Sequence, residues 1–248
     1  MGAIPLLALY VLFACAIALL PAGARLRRAF LIKNISVASA VMLQLLGVRV
    51  HVKHRDRLRA GSGGRLIVSN HVSYIDVLVI ASLTPAVFIT SVELGGTLFL
   101  GVLARLGGSL FVERRKASGL KGEIAAISRV LREGFCVTLF PEGTTSNGDR
   151  VQPFKNSLFD SAVITRADIF PVCLRYTRVN GERLTILSRD NVFYYGGVAF
   201  LKHFLKLLTL KSVDVEVVPL KSISAQAHHS RKDLAAETHK AMSAAYHG

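Results

Sequence analysis

Residues 65–83, RLIVSNHVSYIDVLVIASL, contain the change of pattern that decides the fold class of this chain. Residues 66–69 are an apolar run with the length of a buried strand, and residues 76–83 have the composition of a helix. The polar block NHVSYID lies at the junction of the two elements. A strand that ends in a polar loop and continues into a helix is typical of α/β sheets, whose loops carry the chemistry.

The rest of the chain repeats this alternation of strands and helices. Residues 119–132 predict an amphipathic helix, because apolar side chains recur on one stripe and Gly134 follows its end. Residues 135–140 are apolar except for Thr138, which indicates a central buried strand. The pattern therefore predicts a mixed sheet covered by helices. Further strands are predicted at residues 87–91, 109–112, 169–176, 183–187 and 213–218, and further helices at 96–106 and 231–246.

The N-terminal segment has the composition of a membrane anchor. Residues 3–22 carry no charge, and twenty residues at ~1.5 Å each match a hydrocarbon core of ~30 Å. A cluster of basic residues follows at once, which by the positive-inside rule places the rest of the chain in the cytoplasm. The alternatives are a buried core helix or a cleaved signal, and a helix that dips into the bilayer without spanning it. The basic residues are Arg25, Arg27, Arg28 and Lys33.

Residues 30–50 predict a second helix, either lying in the interface or paired with the first. The expected organisation is therefore a membrane-anchoring helical pair at residues 1–50 and a catalytic domain at residues 51–248. The basic stretch at residues 51–64 suits lipid headgroups, with an edge strand guarded by charge as the alternative.

Charge and hydropathy together narrow the classes of partner. The 248 residues include 31 Lys and Arg against 16 Asp and Glu, a net charge of +15, yet the mean hydropathy is +0.43. This mean hydropathy is too high for an ordinary soluble domain or a disordered chain. The net charge is too positive for a protein that does not bind polyanions. An anionic membrane meets both demands, whereas the absence of Trp and 8% aromatics argue against nucleic acid. Three cysteines without C-x-x-C spacing predict no metal site.

His71 and Asp76 are the first candidate catalytic pair. On one continuous helix they would lie ~140° apart, so they can meet only if His71 is in the loop before the helix. Asp76 would then hold the imidazole while the other ring nitrogen takes a proton from a substrate hydroxyl. The alternative is a capping box, in which Ser73 and Asp76 only serve the start of the helix.

Two further clusters follow predicted strands. Residues 107–116, GGSLFVERRK, end in cations that suit a phosphate, although an exposed charge run is the commoner fate of such a cluster. Residues 140–146, FPEGTTS, form a turn rich in hydroxyls and backbone N–H groups, suited to an anion. An ordinary turn before the hairpin signal Asn147-Gly148 is the alternative. Glu142 needs a cationic partner, for which Arg114 is the natural candidate.

The order and spacing of these blocks, with the Phe-Pro-Val strand at residues 170–172, resemble the glycerolipid acyltransferase family, in particular the lysophosphatidic acid acyltransferases. The resemblance runs from residue 65 to residue 172. It implies a mixed, largely parallel central sheet flanked by helices, behind an N-terminal membrane-binding helical pair. It implies His71 as general base with Asp76 as its partner. It also implies a substrate site shaped by Arg114, Glu142, Gly143 and Thr144.

The implied activity is transfer of an acyl group from a thioester of coenzyme A or acyl carrier protein to a lysophospholipid, with no other cofactor. Lysophosphatidic acid is the expected acceptor and lyso-ornithine lipid the second candidate. The headgroup is left open by three departures from the family pattern: Glu113 in place of Asp, no Lys beside Glu93, and Ser157 in place of Gly. The rival class is a non-enzymatic membrane- or lipid-binding protein. The expected location is the cytoplasmic face of a bacterial inner membrane.

Overall fold

The computed structural model describes residues 3–59, 63–97, 100–113, 119–227 and 230–247. The described helices are α1 (Ala3–Leu19), α2 (Ala24–Leu45), α3 (Arg55–Arg59), α4 (Ile75–Leu83), α5 (Val92–Gly95), α6 (Leu100–Leu106), α7 (Leu120–Arg132), α8 (Asp160–Thr165), α9 (Ile186–Arg189), α10 (Phe200–Leu207) and α11 (Arg231–His247). The described strands are β1 (Val48–Val52), β2 (Leu66–Ser69), β3 (Ala86–Ser91), β4 (Leu110–Val112), β5 (Cys136–Leu139), β6 (Ile169–Val179), β7 (Glu182–Arg183) and β8 (Val213–Pro219).

The described strands form one sheet in the order β1-β8-β6-β2-β5-β3-β4, with β7 paired to β6. The β1–β8, β6–β2, β2–β5, β5–β3 and β3–β4 pairs are parallel. The β6–β8 and β6–β7 pairs are antiparallel. The prediction of a mixed, largely parallel sheet flanked by helices is confirmed.

The sheet separates two apolar cores, and its middle strands are buried on both faces. All four residues of β2 are buried, as expected for a strand between two parallel neighbours. One core packs α2 and α4 against residues of β6 and β8, and the other packs α7, α8 and α11 against β2, β3 and β5. Because β2 and β5 are parallel neighbours, their carboxyl ends lie side by side. The motif at residues 70–76, which follows β2, therefore lies next to the motif at residues 140–146, which follows β5.

The N-terminal helical pair is present and is attached to the rest of the protein. The 17 residues of α1 reach only about 26 Å, less than the ~30 Å of a hydrocarbon core. Within the described residues, α2 is the one helix that is both long and apolar enough to cross a bilayer, a criterion of length and composition alone. The Tyr10 hydroxyl donates to the Leu103 carbonyl, and Arg28 pairs with Glu133. One of the arginines expected to flank the first helix therefore also holds the pair to the domain.

Two local predictions are wrong. The second helix ends at Leu45 instead of continuing to residue 50, because Gly47 (φ +67°) turns the chain into β1. The strand predicted at residues 183–187 is only the last residue of β7 followed by α9, whose start is capped by Thr185 and Ser188. The helical or mixed segment predicted at residues 96–106 contains α6, whereas α5, α8 and α10 were not predicted. The basic stretch after residue 50 starts in edge strand β1 and continues into α3.

Candidate active site

Asn70 fixes the end of β2 next to the site. Its side-chain Nδ2 donates to the Leu174 carbonyl at 3.0 Å, and its Oδ1 accepts from the Leu174 N–H at 2.8 Å. The amide thus reproduces one more step of the hydrogen-bond ladder between β2 and β6 after β2 itself has ended. Asn70 is 1% exposed, so its contribution is to hold the following residue in place.

His71 and Asp76 meet in the way that the loop geometry requires. Because α4 begins only at Ile75, His71 lies in the preceding turn, and its Nδ1 is 2.9 Å from Asp76 Oδ2. The same oxygen accepts from the N–H groups of Val72 and Ser73 at 2.7 and 2.9 Å. The Asp76 carboxylate therefore accepts both from the His71 ring and from the backbone N–H groups before the helix.

The second ring nitrogen of His71 is not used by the part of the chain that the structure describes. Among the residues that the structure describes, His71 Nε2 has no hydrogen-bond partner, and the side chain is 19% exposed. The imidazole stacks on the Phe140 ring, with centroids 4.1 Å apart and planes 19° apart. The ring is thus held on one face by Phe140 and at one edge by Asp76.

Tyr176 completes the surroundings of Asp76 and was missed in the sequence. Its hydroxyl donates to Asp76 Oδ1 at 2.6 Å from β6. Burial and the nearby carboxylate raise the pKa of Tyr176 well above its ordinary value, so the hydroxyl keeps its proton and remains a donor. The strand was predicted, but only the pairing of β6 with β2 brings residue 176 to the start of α4.

Glu142 ties the turn after β5 to His71. Its Oε1 accepts from the His71 N–H at 2.9 Å and its Oε2 from the Gln152 N–H at 3.3 Å. In return the Ser146 N–H donates to the His71 carbonyl at 3.1 Å. Glu142 is 6% exposed, and this burial raises its pKa from 4.5 to about 8 despite the two N–H donors.

The predicted cationic partner of Glu142 lies outside the described residues. Arg114 follows β4, and the structure describes the chain only to Glu113 on that side. Both oxygens of Glu142 receive backbone N–H groups, so its acceptor capacity is partly met by the turn itself. The role of Arg114 stays a prediction.

Gly143 makes the turn possible. Its φ of +79° is in the left-handed region, and its N–H donates to the Phe140 carbonyl. Thr144 is exposed in the same turn. The N–H groups of Thr144 and Thr145 are without a partner among the described residues, whereas that of Gly143 is used within the turn.

Lys155 is a second side chain that sequence reasoning missed. It lies across Gly143, with its Nζ only 2.9 Å from the position that a Cβ on residue 143 would occupy. Its own N–H donates to the Pro141 carbonyl at 2.9 Å, which fixes the segment beside the turn. A lysine twelve residues after a glycine carries no local sequence signal for this contact.

Across the described residues, no cluster of His, Cys, Asp and Glu has the arrangement of a metal site.

A His–Asp pair with a free imidazole nitrogen, set at the end of a strand in a largely parallel sheet, is typical of an enzyme that deprotonates a substrate group. Residues 49–175 match the family model described as Acyltransferase. The chain belongs to the acyltransferase family, which confirms the resemblance drawn from the motifs.

Relatives extend this result. The chain is 32% identical over 198 residues to the lyso-ornithine lipid O-acyltransferase of Rhizobium meliloti (strain 1021), covering 77% of this chain and 66% of the relative. It is 29% identical over 154 residues to the 1-acyl-sn-glycerol-3-phosphate acyltransferase of Neisseria gonorrhoeae, covering 62% and 58%. The matches thus span two thirds or less of these relatives' lengths.

A solved structure supports the fold. The crystal structure of the 1-acyl-sn-glycerophosphate (LPA) acyltransferase PlsC from Thermotoga maritima superposes with a TM-score of 0.71. The match covers 96% of this chain and 88% of that one at 18% sequence identity. The N-terminal helices therefore fall within the shared architecture.

Proposed function

We propose that this protein transfers an acyl group from an acyl thioester to the free hydroxyl of a lysophospholipid, with lysophosphatidic acid as acceptor and phosphatidic acid as product. The observation that carries the proposal is the hydrogen bond from His71 to buried Asp76, which leaves Nε2 of the ring without a partner among the described residues. A non-enzymatic lipid-binding protein would have no need of this arrangement. The family membership supports the same reaction class.

In the proposed reaction, His71 Nε2 removes the proton of the lysolipid hydroxyl as its oxygen attacks the thioester carbonyl. Asp76 accepts from Nδ1 and stabilises the imidazolium that forms. The tetrahedral oxyanion is stabilised by backbone N–H donors of the turn at Thr144 and Thr145. Collapse breaks the C–S bond, and the imidazolium returns its proton to the leaving thiolate, so the enzyme ends unchanged.

The substrate headgroup is proposed to meet cations beside this turn. Lys155 lies over Gly143, close enough to the catalytic turn to bind an acidic headgroup, and Arg114 is expected to add a second cation. A phosphate or a carboxylate satisfies such a site. Glu142 and Gly143 would shape it by holding the turn, and Thr144 would add its hydroxyl.

Lyso-ornithine lipid is the second candidate acceptor. It is favoured by the relatives from Rhizobium meliloti and Rhodobacter capsulatus, which carry that name and match with 32% and 30% identity over 77% and 83% of this chain. The donor is proposed to be a thioester of coenzyme A or acyl carrier protein. The proposed location is an anionic membrane, with the catalytic domain on the cytoplasmic face of a bacterial inner membrane.

The test is an acyl-transfer assay of the full chain with radiolabelled acyl donor and the two acceptors side by side. The His71→Ala variant should lose about 10²–10⁴-fold in rate, the usual contribution of a general base. The matched control is His51→Ala, because His51 also contacts a carboxylate, Asp214 at 2.8 Å, but on an edge strand and 60% exposed. Equal activity of both variants would disprove the role of His71, and acylation of lyso-ornithine lipid alone would replace the proposed acceptor.

A further inference from the structure

A second apolar surface lies far along the chain from the N-terminal pair. Nine large apolar side chains outside residues 1–50 are exposed among the described residues, and six of them belong to one connection, the segment between β7 and β8. Such a concentration is unusual, because exposed apolar residues are ordinarily scattered. The six are Ile186, Leu187, Val198, Leu201, Leu205 and Leu208.

Helix α10 arranges three of these residues as one stripe. Leu201 and Leu205 lie on α10, and Leu208 is its C-cap residue with helical dihedrals. They are spaced i, i+4 and i+7, so they lie on one side, and they are 65%, 55% and 47% exposed. The face that packs on the protein is a different one, formed by buried His203 and Leu207. The stripe is therefore additional to the core contact of α10.

The charged residues of the segment around the stripe are lysines, and the nearest acid in the sequence is Asp190, which lies near buried His203. Residues 191–212 contain three lysines, Lys202, Lys206 and Lys211, and no acidic residue. Lys202 and Lys206 are exposed on α10 itself. Burial lowers the pKa of His203 on the same helix, so this ring adds no charge at neutral pH. A leucine stripe bordered by lysines matches an anionic lipid surface, whereas a second copy would bring like charges together.

The segment that leads into α10 is bonded to the catalytic turn. The Tyr194 N–H donates to the Val72 carbonyl at 2.8 Å, and the Ser73 hydroxyl donates to the Val192 carbonyl at 2.7 Å. The Tyr74 hydroxyl is 3.1 Å from Nδ1 of His203 on α10. Hydrogen bonds therefore connect α10 and the segment before it to the three residues that follow His71.

We propose that α10 is an interfacial membrane-binding helix, separate from the N-terminal pair, which inserts Leu201, Leu205 and Leu208 among the acyl chains of an anionic bilayer. Lys202 and Lys206 contact the lipid phosphates. The binding itself is independent of the enzymatic activity. Its consequence, that the His71 turn is held at the lipid surface where a lysolipid resides, rests on the proposed function.

The test uses the fact that the chain contains no Trp, so one introduced Trp is a unique fluorophore. The full-length Leu205→Trp variant is bound to vesicles of phosphatidylglycerol and phosphatidylethanolamine whose acyl chains carry bromine, a contact quencher. The matched control is Ile164→Trp on α8, because Ile164 is also 55% exposed but its helix packs on the opposite face of the sheet. Both variants keep the N-terminal pair, so both proteins bind the vesicles.

The proposal predicts quenching of the Trp at position 205 and none of the Trp at position 164. Adding Lys202→Glu and Lys206→Glu to Leu205→Trp should reduce the quenching. Equal quenching, or its absence, at both positions would overturn the proposal. Emission from position 205 that changes with protein concentration without lipid would assign the stripe to a second copy and would also overturn it. None of these readouts needs acyl transfer, so failure here is distinct from failure of the proposed function.

Discussion

Asp76 receives four hydrogen bonds through its two oxygens, and this number explains how one buried carboxylate serves two purposes. Oδ2 accepts from His71, Val72 and Ser73, and Oδ1 accepts from Tyr176. Each carboxylate oxygen offers two lone pairs, so Oδ2 is fully used by its three donors while Oδ1 has one donor. The contact with His71 and the contacts at the helix start, which are alternatives when only the sequence is considered, are therefore compatible in three dimensions.

Tyr176→Phe tests whether Tyr176 positions Asp76. The variant removes the donor to Oδ1, so kcat should fall while the KM for the acceptor stays unchanged, because no group that contacts the substrate is lost. Loss of a buried hydrogen bond to a charged group should also cost about 1.5–3 kcal/mol of stability. The measurements are steady-state kinetics and thermal unfolding in detergent.

Tyr195→Phe is the matched control for this variant. Tyr195 also donates to a carboxylate, Asp190 at 2.7 Å, but in an exposed setting. It should leave both kcat and the unfolding midpoint almost unchanged. A kcat for Tyr176→Phe equal to that of the control would remove the positioning role.

Gly143→Ala tests the close approach of Lys155 to the turn. A Cβ at residue 143 would lie 2.9–3.2 Å from the end of the lysine side chain, and φ is +79°. The substitution should raise the KM for the acidic acceptor, because it displaces the ammonium group. Gly181→Ala is the control, since it has φ +86° but no atom within 4 Å. Both should lose about 1 kcal/mol of stability from backbone strain, and a KM raised by neither variant would exclude Lys155 from the headgroup site.

Glu142→Gln tests the raised pKa of Glu142. The folded state holds this proton up to pH about 8, whereas the unfolded chain releases it near pH 4.5. Unfolding therefore releases a proton between these values, and the contribution of Glu142 to stability falls as the pH rises through that window. Because Gln does not titrate, wild type and variant should have similar unfolding midpoints near pH 5. At pH 8 the unfolding midpoint of the wild type should be lower than that of the variant. Unfolding midpoints that stay parallel from pH 5 to pH 8 would contradict the shift.

At the scale of elements, the predictions succeed where one pattern dominates. The stripe of α7 and the apolar run of β5 are unambiguous, and both elements form within a residue or two of the expected bounds. Helix α10 was not predicted because its eight residues are short and its apolar side chains cover two faces, one for the core and one for solvent. Helix α9 replaces a predicted strand because a capping box, not hydrophobic pattern, decides its start.

Leu43→Ala tests whether α2 is part of the folded domain or a separate anchor, since the division at residue 50 is still a prediction. Leu43 is 3% exposed and belongs to the same core as Ile75 and Val79 of α4. Its truncation should cost about 2–5 kcal/mol, as for a buried leucine. Leu45→Ala is the control two residues away, 47% exposed. Thermal unfolding in detergent that is equally unaffected by both changes would make residues 1–50 an independent anchor.

At the scale of the whole molecule, the fold class and the family were accessible because the motifs recur at strand ends in a fixed order. The loop and helix boundary leave the His71–Asp76 contact and a capping box as alternatives, and the family resemblance favours the contact. Tyr176 and Lys155 could not be anticipated, because the first depends on the pairing of strands 100 residues apart and the second on how a later segment returns across a turn. The positions of Tyr176 and Lys155 thus depend on long-range pairing and packing, which no local sequence pattern specifies.

The junction of α2 with β1 is short and closely packed. Only Leu46 and Gly47 join them, and the Gly47 carbonyl accepts from the Val213 N–H, where β8 pairs with β1. A Cβ at residue 47 would lie 2.7 Å from the Lys211 carbonyl oxygen, so the joint packs directly against the chain before β8 and needs glycine there. The direction of α2 and the position of edge strand β1 are therefore set together by this two-residue joint. Any reorientation of α2 would act on the β1 edge of the sheet, at the opposite end of the strand order from β4.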